Sequence, residues 1–305
     1  MPSKQLTQFP LEEEYQKSTG ITPEDIAALR RWLNTQPHLP SKYITDLDLI
    51  LTFHSCDCST GVTKQVLDLH YTLRTLFTTF FKDRKFDARV RKTLDTVLLT
   101  PLQMRTKEGY AIFYTRFLDT DSKNFFLGDT MRTVLMILDL WQYKEGTWPG
   151  FILLVDFNNM TLGHLARMDM QNIQQFLYYM QEAMIVKLKG FHFMNAPSFM
   201  DKFLMLMKPF TKKQLMDMLG VYEPGNKALE SVIPLEALPS ETSGKSNQSY
   251  QECKEDVLAM LQAGEAYLKN ESLKRVTESL RPGKPKNISD IFSGVEGSFK
   301  KLDID

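Results

Sequence analysis

Residues 187–213, KLKGFHFMNAPSFMDKFLMLMKPFTKK, contain the most informative pattern in this chain of 305 residues. The segment from Leu188 to Met194 is typical of a buried β-strand, and the residues after Pro197 have the apolar spacing of an α-helix. Because residues three and four positions apart lie on the same side of a helix, several large side chains share one face. These side chains are Met200, Phe203, Met207 and Phe210, and Leu206 extends the apolar surface beyond them.

Cations surround this apolar helix, although the formal net charge of the whole chain is zero. Flexible apolar side chains and cations on one short helix are the combination expected of a protein that handles lipid at a membrane surface. The alternative is a core helix whose lysines extend their charged ends to solvent. The cations are Lys187, Lys189, Lys202, Lys208, Lys212 and Lys213, opposed by the single acid Asp201.

Composition narrows the class of protein. Apolar residues make up 43% of the chain and charged residues 24%, which is usual for globular proteins. Basic and acidic residues both number 37, so the basic excess that nucleic-acid binding requires is absent. No signal-peptide pattern follows Met1, no apolar window is long enough to cross a bilayer, and three cysteines do not form a disulfide framework. We therefore expect a monomeric cytoplasmic protein that meets membranes only peripherally.

Apolar spacing divides the chain into three predicted parts, residues 1–95, 96–247 and 248–305. The first part contains only helical patterns, one of which starts at an N-cap and N1 pair, Thr22 and Pro23. These short helices predict a small bundle. The second part alternates strand and helix patterns, which predicts an α/β layer with at least partly parallel strands.

The alternating part ends in a turn-rich segment that we interpret as a linker. A further helix and an extended tail follow, and apolar residues of the tail are expected to pack on the domain. The strands are predicted at residues 110–117, 151–155 and 187–194, the helices at 128–142, 169–184, 197–207 and 251–268, the linker at 234–249, and the packed tail residues are Ile291, Phe292 and Phe299.

Motifs for catalysis are absent from the sequence. It has no nucleophile elbow, no glycine-rich phosphate loop, no dinucleotide fingerprint and no His-Glu-x-x-His zinc motif. His54, Cys56 and Cys58 lack the second ligand pair of a zinc site. Asp156 follows a predicted strand, where a structural hydrogen-bonding role is favoured over catalysis because no partner His or Lys is nearby. We predict no enzyme activity, no metal and no cofactor.

The apolar faces of the predicted strands and helices suggest a cavity. Alternate residues of a strand point to the same side, and helical residues three or four apart do likewise. Together such faces could enclose several hundred cubic ångströms, the usual size of a site for a lipid-like ligand. The alternative is an ordinary filled core. The candidate walls are Phe151, Leu153 and Val155 on a strand, Phe176, Tyr179, Met180 and Met184 on the next helix, and Met131, Leu135 and Leu138 on the helix before it.

Six segments carry a resemblance to a known family: residues 187–210, LLVDFNNMTLGHLARM (153–168), VIPLEALPSETSGK (232–245), LRRWLNTQPHLP (29–40), YTLRTLF (71–77) and residues 281–305. Together they resemble the CRAL-TRIO lipid-transfer family over nearly the whole chain. The resemblance implies an α/β cage with a mostly parallel sheet as its floor, flanking helices, a mobile gate helix from Pro197 to about Met207, and a preceding helical bundle. It also implies one apolar molecule carried between membranes, with no covalent bond made or broken. The tail is similar to that of insect members of the α-tocopherol-transfer-protein-like or clavesin-like branch.

The resemblance also implies a membrane or phosphoinositide site near the gate. Lys187 and Lys189 match the first basic pair of that site, but Gln214 and Met218 replace the second pair. Lys212 and Lys213 are adjacent, so a general attraction to anionic lipid is expected. The candidate cavity residues are those named above together with Val134, Leu188, Phe191, Phe203, Leu206, Met207 and Phe210.

The expected cargo is a tocopherol-, retinoid-, carotenoid- or terpenoid-like lipid. Val134 and Leu138 stand where tocopherol carriers have small hydroxyl residues, which weakens the case for tocopherol. One alternative function is a lipid-sensing regulatory or scaffold protein that acts through protein contacts. A lipid enzyme is a further alternative, although no nucleophile and base are paired in the sequence.

Overall fold

The computed structural model describes residues 5–243, 245 and 247–292. The helices in these residues are α1 (Leu11–Gln16), α2 (Pro23–Leu33), α3 (Asp46–Ser55), α4 (Thr60–Leu76), α5 (Thr78–Phe81), α6 (Ala88–Thr96), α7 (Leu127–Glu145), α8 (Leu162–Leu165), α9 (Met170–Glu182), α10 (Met200–Met207), α11 (Lys213–Met216), α12 (Ser240–Ser243), α13 (Tyr250–Ala263) and α14 (Glu265–Glu271). The strands are β1 (Val97–Pro101), β2 (Ala111–Phe117), β3 (Phe151–Asp156), β4 (Leu188–Met194) and β5 (Leu219–Val221).

Helices α1 to α6 precede the first strand and confirm the predicted all-helical beginning. Helix α2 starts at a capping box: the Thr22 side chain accepts from the Asp25 amide, and Asp25 accepts from the Thr22 amide. Such caps typically stabilise a helix by about 1 kcal/mol. The core shared by α2, α3 and α4 contains Ile26, Leu29, Leu33, Leu49, Ile50, Phe53, Leu67 and Tyr71.

The five strands form one sheet in the order β1-β2-β3-β4-β5. Strand β1 is antiparallel to β2, and the remaining neighbours are parallel. The predicted α/β class with a mostly parallel sheet is therefore confirmed. The sequence prediction missed β1, which follows α6 without a break, and β5, which has only three residues.

Both faces of the sheet are covered, which agrees with the continuous apolar run FILLV in β3. Phe151 and Leu153 face the core formed with α7, α9 and α10, which we call the front face. Ile152 and Leu154 face the other way and pack with Leu238 and other residues of the segment that follows β5. The segment predicted to be a linker thus covers the back of the sheet instead of connecting separate bodies.

The predicted helix over residues 251–268 is two helices, α13 and α14, which meet at Gly264. A Cβ atom at Gly264 would lie 2.3 Å from a methyl group of Leu140, so only glycine allows this approach to α7. Of the predicted tail contacts, the Phe292 ring stacks on Phe77 at 6.0 Å and Ile291 packs beside the same core. Phe299 lies outside the described residues. No helix in the described part of the chain is long and apolar enough to span a bilayer.

Candidate ligand-binding site

An apolar cavity of about 130 Å³ lies between the front face of the sheet and helices α7, α9 and α10. It is smaller than the several hundred cubic ångströms expected from the sequence. Seventeen of its nineteen lining side chains are apolar and two are threonines, so the cavity suits an apolar guest and offers a buried charge no counter-ion. The walls are Val97, Thr115, Phe117, Phe125, Leu127, Thr130, Met131, Val134, Leu153, Val155, Phe157, Met168, Ile173, Phe176, Leu177, Phe191, Phe193, Phe203 and Met207.

Helix α10 forms one wall of this cavity. Phe203 and Met207 point inward, and the Phe203 ring meets Phe157 at 5.0 Å and Phe193 at 5.4 Å in edge-to-face contacts. On the outer side, Met205 is 69% exposed between the exposed residues Lys202 and Lys208. The inner aromatic cluster limits the volume, so displacement of Phe203 would enlarge the cavity.

Both ends of α10 are tied to the rest of the domain by polar contacts. Before the helix, Asn195 has φ of 53° and its Nδ2 donates to Asp156 Oδ1 at 2.8 Å. After the helix, Gln181 of α9 donates to the Phe210 carbonyl at 2.9 Å and accepts from the Lys212 amide at 2.7 Å. Within the described residues, no side chain from 199 to 206 makes a hydrogen bond or an ion pair. The wall is therefore held along its length by apolar contacts alone.

Eight of the seventeen candidate cavity residues lie in the cavity wall, and nine lie elsewhere. Three of those nine border a separate cleft, and Leu206 and Phe210 are only half-buried, because a helical face shared in sequence runs further than the cavity does. The lining residues are Met131, Val134, Leu153, Val155, Phe176, Phe191, Phe203 and Met207, whereas Leu135, Leu138, Phe151, Tyr179, Met180, Met184, Leu188, Leu206 and Phe210 do not line it.

Tyr179 shows why shared periodicity misplaces a residue. It is almost fully buried, and its hydroxyl accepts from Arg74 Nε at 3.1 Å. Burial raises the pKa of this phenol to about 12. Tyr179 therefore belongs to a buried polar cluster and not to the cavity.

Other wall residues were not predicted from the sequence. Phe193 alternates with Phe191 on β4 and Ile173 shares a face with Phe176 on α9, so a periodicity signal existed for both. Phe125 and Phe157 lie in irregular segments, where periodicity gives no signal. The remaining unpredicted wall residues are Val97, Thr115, Phe117, Leu127, Thr130, Met168 and Leu177.

Three of the four predicted membrane-binding lysines line a second cavity of about 440 Å³, which we call the lysine cleft. It lies between the N-terminal helices and the sheet domain. Lys187 pairs with Asp57 at 2.7 Å and Lys212 pairs with Glu182, both acids belonging to the same cleft. Three cations and two acids leave a formal charge of +1. The lysines are Lys187, Lys189 and Lys212, and Gln214 and Met218 also line the cleft, whereas Lys213 lies outside it and pairs with Asp217 at 2.8 Å.

Asp156 has the structural role that the sequence favoured. Its carboxylate is fully buried and accepts from the Tyr114 hydroxyl at 2.7 Å, from Arg116 and from Asn195. His54 was considered above, with Cys56 and Cys58, as a metal ligand. Its pKa is lowered to about 4, first by burial and then by Lys187. No group of three or more potential metal ligands occurs within residues 5–243, 245 and 247–292.

Comparisons with known proteins identify domains and relatives that this chain resembles. A model of the CRAL/TRIO domain matches residues 96–244, and a model of the Pinta-like UBA domain matches residues 20–89. Clavesin-1 of Pongo abelii is 24% identical over 250 residues, which cover 74% of this chain and 69% of that protein. Clavesin-2 of Homo sapiens is 24% identical over 125 residues, covering 41% of this chain and 38% of that protein. The crystal structure of Sfh5 is 12% identical, with a TM-score of 0.44 over 66% of this chain and 72% of that chain.

The CRAL/TRIO match spans all five strands and the cavity, and the UBA match spans α2 to α5, which precede the strands. The assignment to an insect branch stays a prediction, because the tail that suggests it lies partly outside the described residues. The chain belongs to the CRAL-TRIO lipid-transfer family, in which a domain of this kind binds a lipophilic ligand.

Proposed function

We propose that this protein carries one hydrophobic small molecule in the cavity behind α10 and transfers it between membranes without chemical change. The observation that carries the proposal is the two-sided character of α10. Phe203 and Met207 line an apolar cavity, while Met205 on the same helix faces solvent. A helix of this kind can exchange contact with a guest for contact with a bilayer.

Entry of a lipid-sized guest requires the cavity to grow. Pockets for such ligands usually measure about 300–1,000 Å³, and this cavity measures about 130 Å³. Asn195 before α10 and Phe210 after it, which hydrogen bonds hold to Asp156 and Gln181, would act as the hinges. The helix between these two residues is held by apolar contacts. Movement of α10 outward removes Phe203 and Met207 from the cavity and supplies the missing volume.

The same movement would expose apolar side chains, and a bilayer offsets that cost. Lys202 and Lys208 flank Met205 and would hold α10 against anionic headgroups while Met205 enters the interface. We therefore propose a cytoplasmic monomer that attaches transiently to anionic membranes. Tocopherol, retinoid, carotenoid and terpenoid-like lipids are the cargo candidates.

Phosphoinositide recognition in the lysine cleft is a weaker part of the proposal. Lys187, Lys189 and Lys212 converge there, which supports binding of an anionic headgroup. Asp57 and Glu182 already pair with two of these cations. A multiply charged headgroup would have to displace both acids, so general attraction to anionic lipid is favoured over specific recognition.

Transfer of a fluorescent lipid between vesicles tests the proposal. Met205→Asp should slow transfer about tenfold, because a carboxylate at the site of insertion opposes contact with the bilayer, and should leave ligand affinity unchanged. Met104→Asp is the matched control, since Met104 is 45% exposed on the connection after β1. Equal transfer by the two variants would overturn the gate at α10. Ligand binding without any transfer by the unaltered protein would favour the lipid-sensing alternative.

A further inference from the structure

A third cavity adjoins the apolar one and differs from it in chemistry. We call it the α6–α7 cleft; its volume is about 340 Å³ and it lies between α6 and the first turn of α7. Phe125 and Thr130 belong to its wall and also to the wall of the apolar cavity. The other lining residues are Ala88, Arg89, Lys92, Thr93, Thr96, Asn124, Phe126 and Asp129.

The partition between the two spaces is thin. Phe125 is buried, lies in extended backbone between a 3₁₀ turn and α7, and contacts Phe117 at 5.3 Å and His164 at 5.6 Å between ring centres. Rotation of this single ring would join the apolar cavity to the cleft. The partition lies at the beginning of α7, so this route does not need α10 to move.

The cleft carries a positive balance. Arg89 Nε pairs with Asp129 Oδ1 at 3.4 Å, which leaves Lys92 as the second cation of the lining. The Lys92 ammonium lies 5.4 Å from the ring of the exposed residue Phe126, and no described carboxylate pairs with it. Two cations and one acid give the lining a formal charge of +1, with Lys92 available to a ligand.

We propose that the cargo is an amphiphile whose anionic end binds at Lys92 in the α6–α7 cleft while its apolar tail passes Phe125 into the cavity. This inference rests on the proposed carrier function and adds the chemical class of the cargo. The apolar cavity cannot hold a charged end, since its lining contains no ionisable group. The adjoining cleft provides both a counter-ion and access to solvent. A carboxylate and a phosphate monoester share the required chemistry.

Three probes with one tail separate these possibilities: oleic acid, 1-oleoyl lysophosphatidate and methyl oleate. Their affinities for the full chain are measured below their aggregation concentrations, with Lys92→Gln compared with two control variants. Lys107→Gln removes another exposed charge, from the connection between β1 and β2, and Lys189→Gln removes one from the lysine cleft.

Lys92→Gln should weaken binding of oleic acid, of the lysophosphatidate or of both by about fivefold, because an exposed charge pair contributes modestly. It should change methyl oleate binding less than twofold, and Lys107→Gln should change none of the three. The probe that responds more identifies carboxylate or phosphate as the favoured head.

Equal sensitivity of the acid and the ester to Lys92→Gln would overturn this inference, and so would a loss of acid affinity on Lys189→Gln alone. In either case, binding and transfer of methyl oleate would leave the carrier function intact. Failure of all three probes to bind would count against both proposals.

Discussion

Helix α7 contributes to two regions of the molecule that are held together in different ways. Near its beginning, Met131 and Val134 line the apolar cavity, of which α10 forms another wall, and within the described residues no side chain from 199 to 206 makes a hydrogen bond or an ion pair. Further along, Asp139 accepts from Arg74 at 2.7 Å and 2.8 Å and from Arg84 at 2.7 Å. One helix thus connects the cavity, whose wall α10 we propose moves outward, to a buried ion-pair cluster.

The ion-pair cluster, which we define as Arg74, Arg84, Asp139 and Glu271, connects three parts of the chain. Arg74 belongs to α4, Asp139 to α7 and Glu271 to α14, and Glu271 pairs with Arg74 at 2.9 Å and with Arg84 at 3.0 Å. Burial alone would raise the pKa of both carboxyl groups. The arginines outweigh burial and hold both pKa values below their ordinary range. The cage is therefore held by buried ion pairs at one end of α7 and by apolar contacts at the other.

The largest expected effect comes from removing one charge of the ion-pair cluster. Arg74→Met should lower the free energy of unfolding by about 3–5 kcal/mol, because it leaves buried carboxylates with fewer counter-charges. Urea denaturation measures the loss. Arg30→Met is the control, since the Arg30–Asp46 pair is partly exposed and should contribute at most about 1 kcal/mol. Equal losses in the two variants would contradict the special role of the cluster.

A smaller effect on stability is expected at α10, the cavity wall that apolar contacts hold in place. Phe203→Ala should cost about 2–3 kcal/mol, toward the low end for a buried aromatic because the side chain already borders a cavity. Hydrogen exchange should accelerate across residues 199–207, while the amides around Asp139 keep their protection. Acceleration spread evenly over both regions would show that α10 and the ion-pair cluster unfold together, which would contradict a difference in local stability between them.

Sequence patterns predicted the alternating fold well, because the apolar periods of β3, β4, α9 and α10 are strong and local. Sequence patterns could not predict how far the cavity extends along the apolar face of a helix. Val134 and Leu138 are one turn apart on α7, yet only Val134 reaches the cavity. Tyr179 lies on the face of α9 that was predicted to line the cavity. Its hydroxyl instead accepts a hydrogen bond from Arg74, which is distant in sequence, so periodicity could not reveal this contact.

Acidification should lower the free energy of unfolding, because His70 is buried next to the ion-pair cluster. His70 Nδ1 donates to the Ala183 carbonyl at 2.7 Å, and burial followed by Arg74 lowers the pKa of this imidazole to about 3. As pH falls below 6.5 the unfolded chain binds a proton that the folded chain refuses, so stability is lost from pH 6.5 down toward 3. The expected loss from this group is about 1 kcal/mol between pH 6 and 5.

His70→Asn removes that titration and retains a polar group near Ala183. The slope of the unfolding free energy between pH 6 and 5 should decrease by the same amount, whatever the variant does to stability at neutral pH. Chemical denaturation at closely spaced pH values measures this slope. An unchanged slope would mean that His70 is protonated in the folded protein.

The smallest effect concerns the lysine cleft, where Asp57 and Glu182 pair with two of the lysines that we propose meet the membrane. Replacing Asp57 with Asn and Glu182 with Gln together changes the formal charge of the cleft from +1 to +3. Affinity for vesicles containing phosphatidylserine should rise about fivefold at low salt, and screening should reduce the gain at high salt. Vesicle co-sedimentation measures this change.

The control for the cleft variant is Asp217→Asn, which frees Lys213 outside the cleft and should raise affinity less than twofold. Vesicles of equal surface charge that contain a phosphatidylinositol bisphosphate sharpen the result. A gain confined to these vesicles would mean that the three lysines form a specific headgroup site once Asp57 and Glu182 stop competing for them. An equal gain on both vesicle types means that the cleft responds to surface charge, and no gain on either would remove the lysine cleft from membrane binding and leave that task to the cations that flank Met205.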